Sequence, residues 1–299
     1  MMASLNYFVL MNTHDLKLFE EVALRGSFTK AAEAMFTVQS NVTARIKNLE
    51  EEFGAALFIR GPRKVALTAA GHTLMKYSKQ LGALIDDAKR QIQQTDSVKG
   101  LLRIGCIETT MALKAPDIIT RFSSEYPDVD LEFTSAMRDK LLSDVLNYKL
   151  DAAFVSAPID LPELQQHVVK EDELVIVASD RYKKITDILS LDLQRIIVFE
   201  QGCIFRSRLE SWLAANGVVK YQNTTVNSIE GIINFVEAGL GISILPAEVL
   251  SSYYSTRKIR TFAVKNELGK MVTLLVYRKD LPPSPALEAF VAMHSGLKA

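Results

Sequence analysis

The sequence predicts a multidomain α+β and α/β chain: an N-terminal winged helix-turn-helix, a long linker helix, and a two-lobed, Rossmann-like α/β unit. Three observations predict it. Apolar residues recur at helical spacing in three short segments between residues 14 and 53, followed by a basic hairpin pattern. One apolar seam then runs through the next stretch. From Gly100 onward, strand-like and helix-like segments alternate to the end.

In the first region Leu16, Phe19 and Val22 recur every third residue, one face of a helix. Gly26-Ser27 breaks the pattern, and Ser27 suits the cap of a second helix from Phe28. Ala31 and Ala32 are small enough for that helix to approach a neighbour closely. After a break at Phe36-Thr37, Thr37 is expected to cap a third helix. There Val42, Ile46, Leu49 and Phe53 fall at i, i+4, i+7 and i+11, a buried stripe. The opposite face begins with Gln39, Ser40, Asn41, Thr43 and Arg45, short polar side chains plus one guanidinium. Base edges in a major groove are reached by such groups on the first turns of a helix. Glu50, Glu51 and Glu52 crowd the other end, where phosphate would repel them, so only the N-terminal half is expected to enter a groove; Gly54 ends the helix. Phe58-Ile59-Arg60 and Val65-Ala66-Leu67 read as short strands around Gly61-Pro62. Arg60, Arg63 and Lys64 project from that turn, a basic wing suited to phosphate or minor-groove contact. Three amphipathic helices alone also describe a small helical core; the basic hairpin and ordered spacing favour a head that reads double-stranded DNA.

Beyond Thr68, Leu74, Tyr77, Leu81, Leu84 and Ala88 alternate at three and four residues, and Ile92 continues the face. This heptad seam spans roughly 28 residues, a helix about 40 Å long. A lone helix with one apolar seam needs a partner: either its own domain or, the favoured reading, the same helix of a second copy. Two-fold pairing of heads implies a two-fold operator. The helix runs out in the polar hinge Thr95 to Gly100.

The alternation from Gly100 predicts strands at 101–107, 129–134, 151–155, 174–178, 196–199, 224–226, 241–245 and 271–277. It predicts helices at 111–126, 140–148, 205–216, 228–237 and 284–295. Such alternation implies parallel sheets in two lobes with a cleft between them. Ligands in open α/β sheets sit at the carboxyl ends of strands, where helix N-termini present free N–H groups. Four strand ends are polar there: Ile107-Glu108-Thr109-Thr110, Thr134-Ser135-Ala136-Met137-Arg138, Gln201-Gly202-Cys203-Ile204, and Asn227-Ser228-Ile229. Each hydroxyl taken singly reads as a helix cap; their convergence makes a pocket. Thr109, Thr110, Gln201 and Ser228 are predicted to bind a small polar metabolite, with Arg138 or Arg206 pairing a carboxylate. Ser156, Gly202, Cys203 and Ile229 complete the predicted lining. Glu108 either favours an amine-bearing ligand or simply caps its helix. Cys106 and Cys203 both lie at strand ends expected to face the cleft. They are either two buried small residues or a redox pair, which requires close sulfurs and a lowered thiol pKa.

Composition bounds the function classes. Lys plus Arg equals Asp plus Glu at 35 each, which argues against a non-specific nucleic-acid binder and for local patches. Between Arg25 and Lys64, seven basic side chains face four acidic ones, a modest footprint. Hydrophobic residues make up 48% of the chain, enough for packed cores. Two cysteines make no disulfide framework. No apolar run is long enough to span a membrane, and Met1 to Met11 has neither a basic n-region nor a cleavage site, so a cytoplasmic location is expected. His14, His72, His167 and His294 are scattered without metal-ligand spacing. There is no Gly-Lys-Ser/Thr loop and no nucleophile elbow, and Gly239-x-Gly241 lacks the third glycine of a dinucleotide fingerprint. No catalytic residue, metal or cofactor is predicted. A solute-binding module using only the two lobes is the competing reading, and the N-terminal head argues against it.

Residues 14 to 71 resemble the N-terminal domain of LysR-type transcriptional regulators at more than fifteen positions of fixed spacing, from Leu16-x-x-Phe19 through Gly26-Ser27-Phe28-Thr29-x-Ala31-Ala32 to Leu67-Thr68-x-x-Gly71. The rest of the chain is similar to the family in architecture. Members often carry Pro where Ser40 stands, and Ser-Arg-Gln where this chain has Thr43-Ala44-Arg45, so the basic group is shifted by one position. The operator sequence of a better-known member therefore does not carry over. The resemblance implies an effector domain like a two-lobed periplasmic binding protein, its chain crossing between lobes twice, near Ala157 to Lys170 and near Val264 to Lys270. The expected organisation is a disordered extension at 1–10, the DNA-binding domain at 11–68 with its motif at 28–47, a dimerisation helix at 69–96, and an effector-binding domain at 97–299. Within the last, lobe I covers about 100–160 and 268–299, and lobe II about 170–265. The expected mechanism is a dimer or tetramer on an interrupted palindrome, biased by a ligand that binds one arrangement better than another, with RNA polymerase as a further partner.

Overall fold

The structure is a computed structural model that describes residues 11–61, 65–92 and 98–294. The expected 1–10 extension, Arg63 and Lys64 of the wing and residues 95–97 of the hinge lie outside the described residues. The chain divides into two compact units, Met1–Gln94 and Thr95–Ala299.

The first unit runs α1 (Thr13–Arg25), α2 (Phe28–Ala34), α3 (Gln39–Glu52), β1 (Phe58–Arg60), β2 (Val65–Leu67) and α4 (Ala69–Ile92). Asn12 caps α1 by accepting the Asp15 N–H at 2.9 Å, while the Asp15 carboxylate accepts the Asn12 N–H in return. Gly26, at φ 59°, closes the helix in the left-handed region. Ser27 then caps α2 through the Lys30 N–H. Thr37 does not cap α3 as expected. The cap position is Val38, without a side-chain bond, because the Thr37 hydroxyl accepts from Asn41 Nδ2 at 2.9 Å instead. Leu18, Phe19, Val22, Ala31, Val42, Ile46 and Leu49 form the buried core, with Phe19 against Phe58 at 5.3 Å between ring centroids. Phe53 was expected in that stripe but is 46% exposed, because α3 ends at Glu52 and the chain turns at Gly54. Glu50 Oε1 accepts the N–H groups of Leu57 and Phe58 at 2.8 and 3.3 Å, fastening the hairpin to α3. Strands β1 and β2 pair antiparallel, Phe58 opposite Leu67. The 24-residue α4 is about 36 Å long. Leu74 and Ser78 are buried, but the seam residues Tyr77, Leu81, Leu84 and Ile92 stay exposed.

The second unit contains β3 (Gly100–Cys106), α5 (Glu108–Leu113), α6 (Ala115–Glu125), β4 (Val129–Ser135), α7 (Arg138–Leu146), β5 (Ala152–Ser156), β6 (Leu164–Ser179), α8 (Ile185–Leu189), β7 (Gln194–Val198), α9 (Ile204–Ala215), β8 (Tyr221–Thr225), α10 (Ile229–Glu237), β9 (Ser243–Pro246), α11 (Ala247–Tyr253), β10 (Ile259–Ala263), a 3₁₀ turn (Asn266–Gly269), β11 (Lys270–Arg278) and α12 (Pro285–His294). The expectation of parallel sheets needs correction. β3 pairs parallel with β4 and β5, and β7 with β8, but β11 runs antiparallel to both β5 and β6. The first crossing is also different. β6 is one sixteen-residue strand that pairs with β11 over Leu164–Glu173 and then with β9 and β10 over Leu174–Ser179. Its first half, Leu164–Glu173, is mostly polar, with half-buried and exposed positions alternating because one face is open to water, and so reads as a connector. The expected helix at 111–126 is two helices meeting at Lys114, with Pro116 in the first turn of the second.

Lobe I packs Leu102, Ile104, Phe122, Phe154 and Phe290 on one side of its sheet, and Leu141, Val145, Val155 and Val276 on the other. Lobe II is built around Ile176, Ile196, Leu209, Ile232 and Ile244. Lys114 of lobe I binds Glu248 of lobe II at 2.6 Å, and Lys170 on β6 joins Glu248 and Asp172. These side chains are partly exposed, so each such pair contributes about 1 kcal/mol or less, and the shared strands hold the lobes together.

Candidate functional site

Two arrangements present chemistry. The first is the start of α3. Gln39 and Ser40 are exposed, and Asn41, Thr43 and Arg45 half-buried. Gln39 Oε1 accepts from Thr29, Asn41 donates to Thr37, and the Thr43 hydroxyl donates to the Gln39 carbonyl at 2.9 Å. These bonds pre-orient the side chains, which lowers the entropy lost on docking. Arg45 is drawn back toward α1, its guanidinium 3.2 Å from the carboxylate of the buried Asp15. The pair is close in charge yet not aligned as a hydrogen bond, since Asp15 Oδ1 has no hydrogen-bond partner. Asp15 carries no base-reading chemistry of its own, and sequence reasoning passed it by; its signal was an acid inside the first turn of α1, one residue from Leu16. Of the wing, the backbone of Arg60 ends β1, and Arg63 and Lys64 lie outside the described residues.

The second is a cavity of about 170 Å³ between the lobes of the second unit. Lobe I supplies Ile107, Glu108 and Thr109 after β3, Ser135 to Arg138 after β4, and Ser156 at the end of β5. Lobe II supplies Phe199, Glu200, Gly202 and Cys203 after β7, Ile204 and Phe205 of α9, and Asn227 after β8. Glu108, Thr109, Arg138, Ser156, Gly202 and Cys203 of the predicted set are thus brought together. Thr110 instead lines a second cavity of about 800 Å³ with Lys114, Phe154 and Met271, which Thr109 also borders. Gln201, Ser228 and Ile229 are not in the cleft wall. The Ser228 hydroxyl accepts the Gly231 N–H at 3.1 Å as the cap of α10, Ile229 packs in the lobe II core, and Gln201 is exposed. Arg206 pairs with Glu210 at 2.9 Å on its own helix. Glu200 was missed; its signal was an acid directly after the apolar run Ile196 to Phe199.

The wall holds unspent polar groups. Thr109 and Ser156 are buried, and among the described residues no hydrogen bond engages either hydroxyl. Arg138 donates through Nη2 to the Pro158 carbonyl, while its Nε is buried without a partner. Of the cysteines, Cys203 lines the cleft, whereas Cys106 faces the lobe I core, because β3 turns alternate side chains to opposite sides. Burial pushes the Cys106 thiol up to about 12, with the Glu108 carboxylate acting in the same direction. Burial also raises the Cys203 thiol, against the backbone N–H groups of Phe205 and Arg206. A reactive pair needs the opposite shift. Among the described residues, no helix is long and apolar enough to cross a membrane.

Residues 13–72 match the family described as bacterial regulatory helix-turn-helix protein, lysR family, and residues 95–295 the LysR substrate binding domain. The chain is 36% identical to the HTH-type transcriptional regulator YusT of Bacillus subtilis, covering 96% of this chain and 97% of that one. It is 34% identical to the regulator GltR of the same organism, covering 94% and 95%. In fold it is similar to full-length OxyR from Pseudomonas aeruginosa, at TM-score 0.72 and 19% identity over 97% of this chain and 96% of that chain. It is also similar to full-length CbnR complexed with its target DNA, at TM-score 0.65 and 20% identity over 95% and 99%. A helix-turn-helix head and a substrate-binding unit therefore stand in one chain, which belongs to the LysR family of transcriptional regulators.

Proposed function

We propose that this regulator binds an interrupted palindromic operator as a dimer or tetramer, and that a small polar molecule in the inter-lobe cleft changes the arrangement of its heads. Gln39, Ser40, Asn41, Thr43 and Arg45 face the base edges, with Thr37 orienting Asn41, and Arg60, Arg63 and Lys64 contact the backbone. The α4 seam pairs two heads, since an exposed row of Tyr77, Leu81, Leu84 and Ile92 is stable only when a second apolar face covers it. RNA polymerase is the partner through which the bound complex acts, in the cytoplasm.

The carrying observation is the polar lining of the cleft: the buried, unpartnered Nε of Arg138, beside the buried residues Thr109 and Ser156, whose hydroxyls make no hydrogen bond among the described residues. A buried donor is ordinarily satisfied, so a wall that leaves one open next to free hydroxyls suits a ligand. The similarity in fold to CbnR, solved in complex with its target DNA, supports the DNA half of the reading. Footprinting of the full chain on DNA upstream of its own gene, with and without a metabolite panel, tests it. Two protected half-sites whose pattern moves with one metabolite are expected. A chain that binds metabolites and gives no specific footprint would be a solute-binding module, and the proposal would fall.

A further inference from the structure

We infer that the cleft is built for a small amino acid, whose carboxylate engages Arg138 with the hydroxyls of Thr109 and Ser156 while its ammonium group sits between Glu108 and Glu200. The inference rests on the reading of the cleft as the effector site and names the ligand class for it.

Three ionisable side chains of definite charge line the cavity: Glu108 from lobe I, Glu200 from lobe II, and Arg138 from lobe I. Among the described residues, neither glutamate side chain makes an ion pair or hydrogen bond with the protein. Glu108 is half-buried and Glu200 exposed at the rim; carboxylates on facing walls repel, and a cation between them converts that repulsion into attraction. A purely anionic ligand would satisfy Arg138 and meet both glutamates. A simple amine would satisfy the glutamates and leave Arg138 Nε buried and unpaired. One molecule bearing both charges meets all three. Thr109 and Ser156, buried residues whose hydroxyls make no hydrogen bond among the described residues, add donors to the same cavity wall. Ile107, Met137, Phe199 and Phe205 supply apolar wall for a side chain, and a volume of about 170 Å³ selects a single amino acid over a peptide or nucleotide. Because the two glutamates come from different lobes, the ammonium binds both fully only in one lobe arrangement. That is the differential affinity a ligand needs to shift an equilibrium.

The test is calorimetric titration of the full-length protein with the twenty proteinogenic L-amino acids, each binder compared with its decarboxylated amine and its 2-hydroxy acid. At least one amino acid is expected to bind, with both counterparts weaker by about tenfold or more. Glu200→Gln is expected to weaken the amino acid by about tenfold while leaving the hydroxy acid no weaker. Glu108→Gln should act alike, so that misfolding of one variant does not decide the matter. Hydroxy acids that bind as well as amino acids, or a panel with no binding amino acid, would overturn the assignment. If only hydroxy acids bind and Arg138→Gln weakens them, the cleft stands as the effector site and the amino-acid assignment falls. If an amino acid binds and none of the three variants weakens it, the ligand is held elsewhere and both readings fall.

Discussion

The recognition helix and the cleft expose comparable polar chemistry but are built in opposite ways. On α3 the polar groups Gln39 to Arg45, proposed to read DNA, lie within two turns of one helix. In the cleft Glu108, Arg138, Ser156 and Glu200 come from four strand ends far apart in the chain. The head spends its polar groups on one another before any DNA arrives: Asn41 on Thr37, Thr43 on Gln39, Arg45 on Asp15. The cleft leaves its own unspent. A preorganised surface suits a rigid, repeating partner, while open valences suit a small ligand whose binding must do work on the lobes.

Separate perturbations of the two regions should keep that contrast visible. The largest expected effect is Phe19→Ala, which empties a fully buried site against Phe58 and should destabilise the head by about 3–5 kcal/mol. Operator binding should be lost while ligand titration of the lobes is unchanged; a parallel loss of ligand binding would mean the two regions are not independent. Arg45→Ala comes next. It leaves the buried Asp15 carboxylate without its counter-charge and should cost about 1–3 kcal/mol in denaturant unfolding of the head. Ser40→Ala, which breaks no side-chain hydrogen bond among the described residues, should weaken operator binding alone; if it lowers stability as much as Arg45→Ala, the assignment of Ser40 to the DNA face fails.

Within the lobes, Ser228→Ala and Ser156→Ala should separate cleanly. Ser228 caps α10, so its loss should cost about 1 kcal/mol and leave ligand affinity alone. Ser156 makes no side-chain bond to give up, so its loss should appear in ligand titration and hardly in melting. The reverse outcome would move the site from Ser156 toward Ser228. The smallest effect concerns pH. Burial, with Arg121 nearby, lowers the His294 pKa below its ordinary 6.5, against a hydrogen bond with the Phe290 carbonyl that raises it. The unfolded chain thus takes up a proton at higher pH than the folded one. The stability tied to neutral His294 is present above about 6.5 and declines as pH falls from there toward the lower folded value. Thermal melts of His294→Gln against the parent from pH 7.5 to 5.5 should show a flatter acid limb in the variant; identical limbs would assign the acid sensitivity to other groups.

The same contrast decides what was legible in the residues alone. Ser27 as a cap, the α3 face, and strands at Phe58–Arg60 and Val65–Leu67 depend on neighbours within a few positions, where periodicity and cap chemistry act directly. Thr37 and Phe53 were misread because their fate turns on what Asn41 and the end of α3 do in space. In the lobes, Glu108, Thr109, Arg138, Ser156, Gly202 and Cys203 meet in the cleft, whereas Thr110, Gln201, Ser228 and Ile229 sit elsewhere, because a strand or helix end shows its chemistry in the chain but not the side toward which each residue turns. Glu200 and the sixteen-residue β6 were hidden for a related reason: a partner strand or an opposing lobe contributes their meaning.

What the sequence by itself determined is the family and the polar face of α3, since a helix carries its own periodicity and caps within a dozen residues. Only the tertiary structure decided that β6 runs through both lobes, that Arg45 answers to Asp15, and which hydroxyls face the cleft. Those facts depend on pairings between residues tens of positions apart, and hydrogen bonds, burial and charge act through space without regard to separation along the chain.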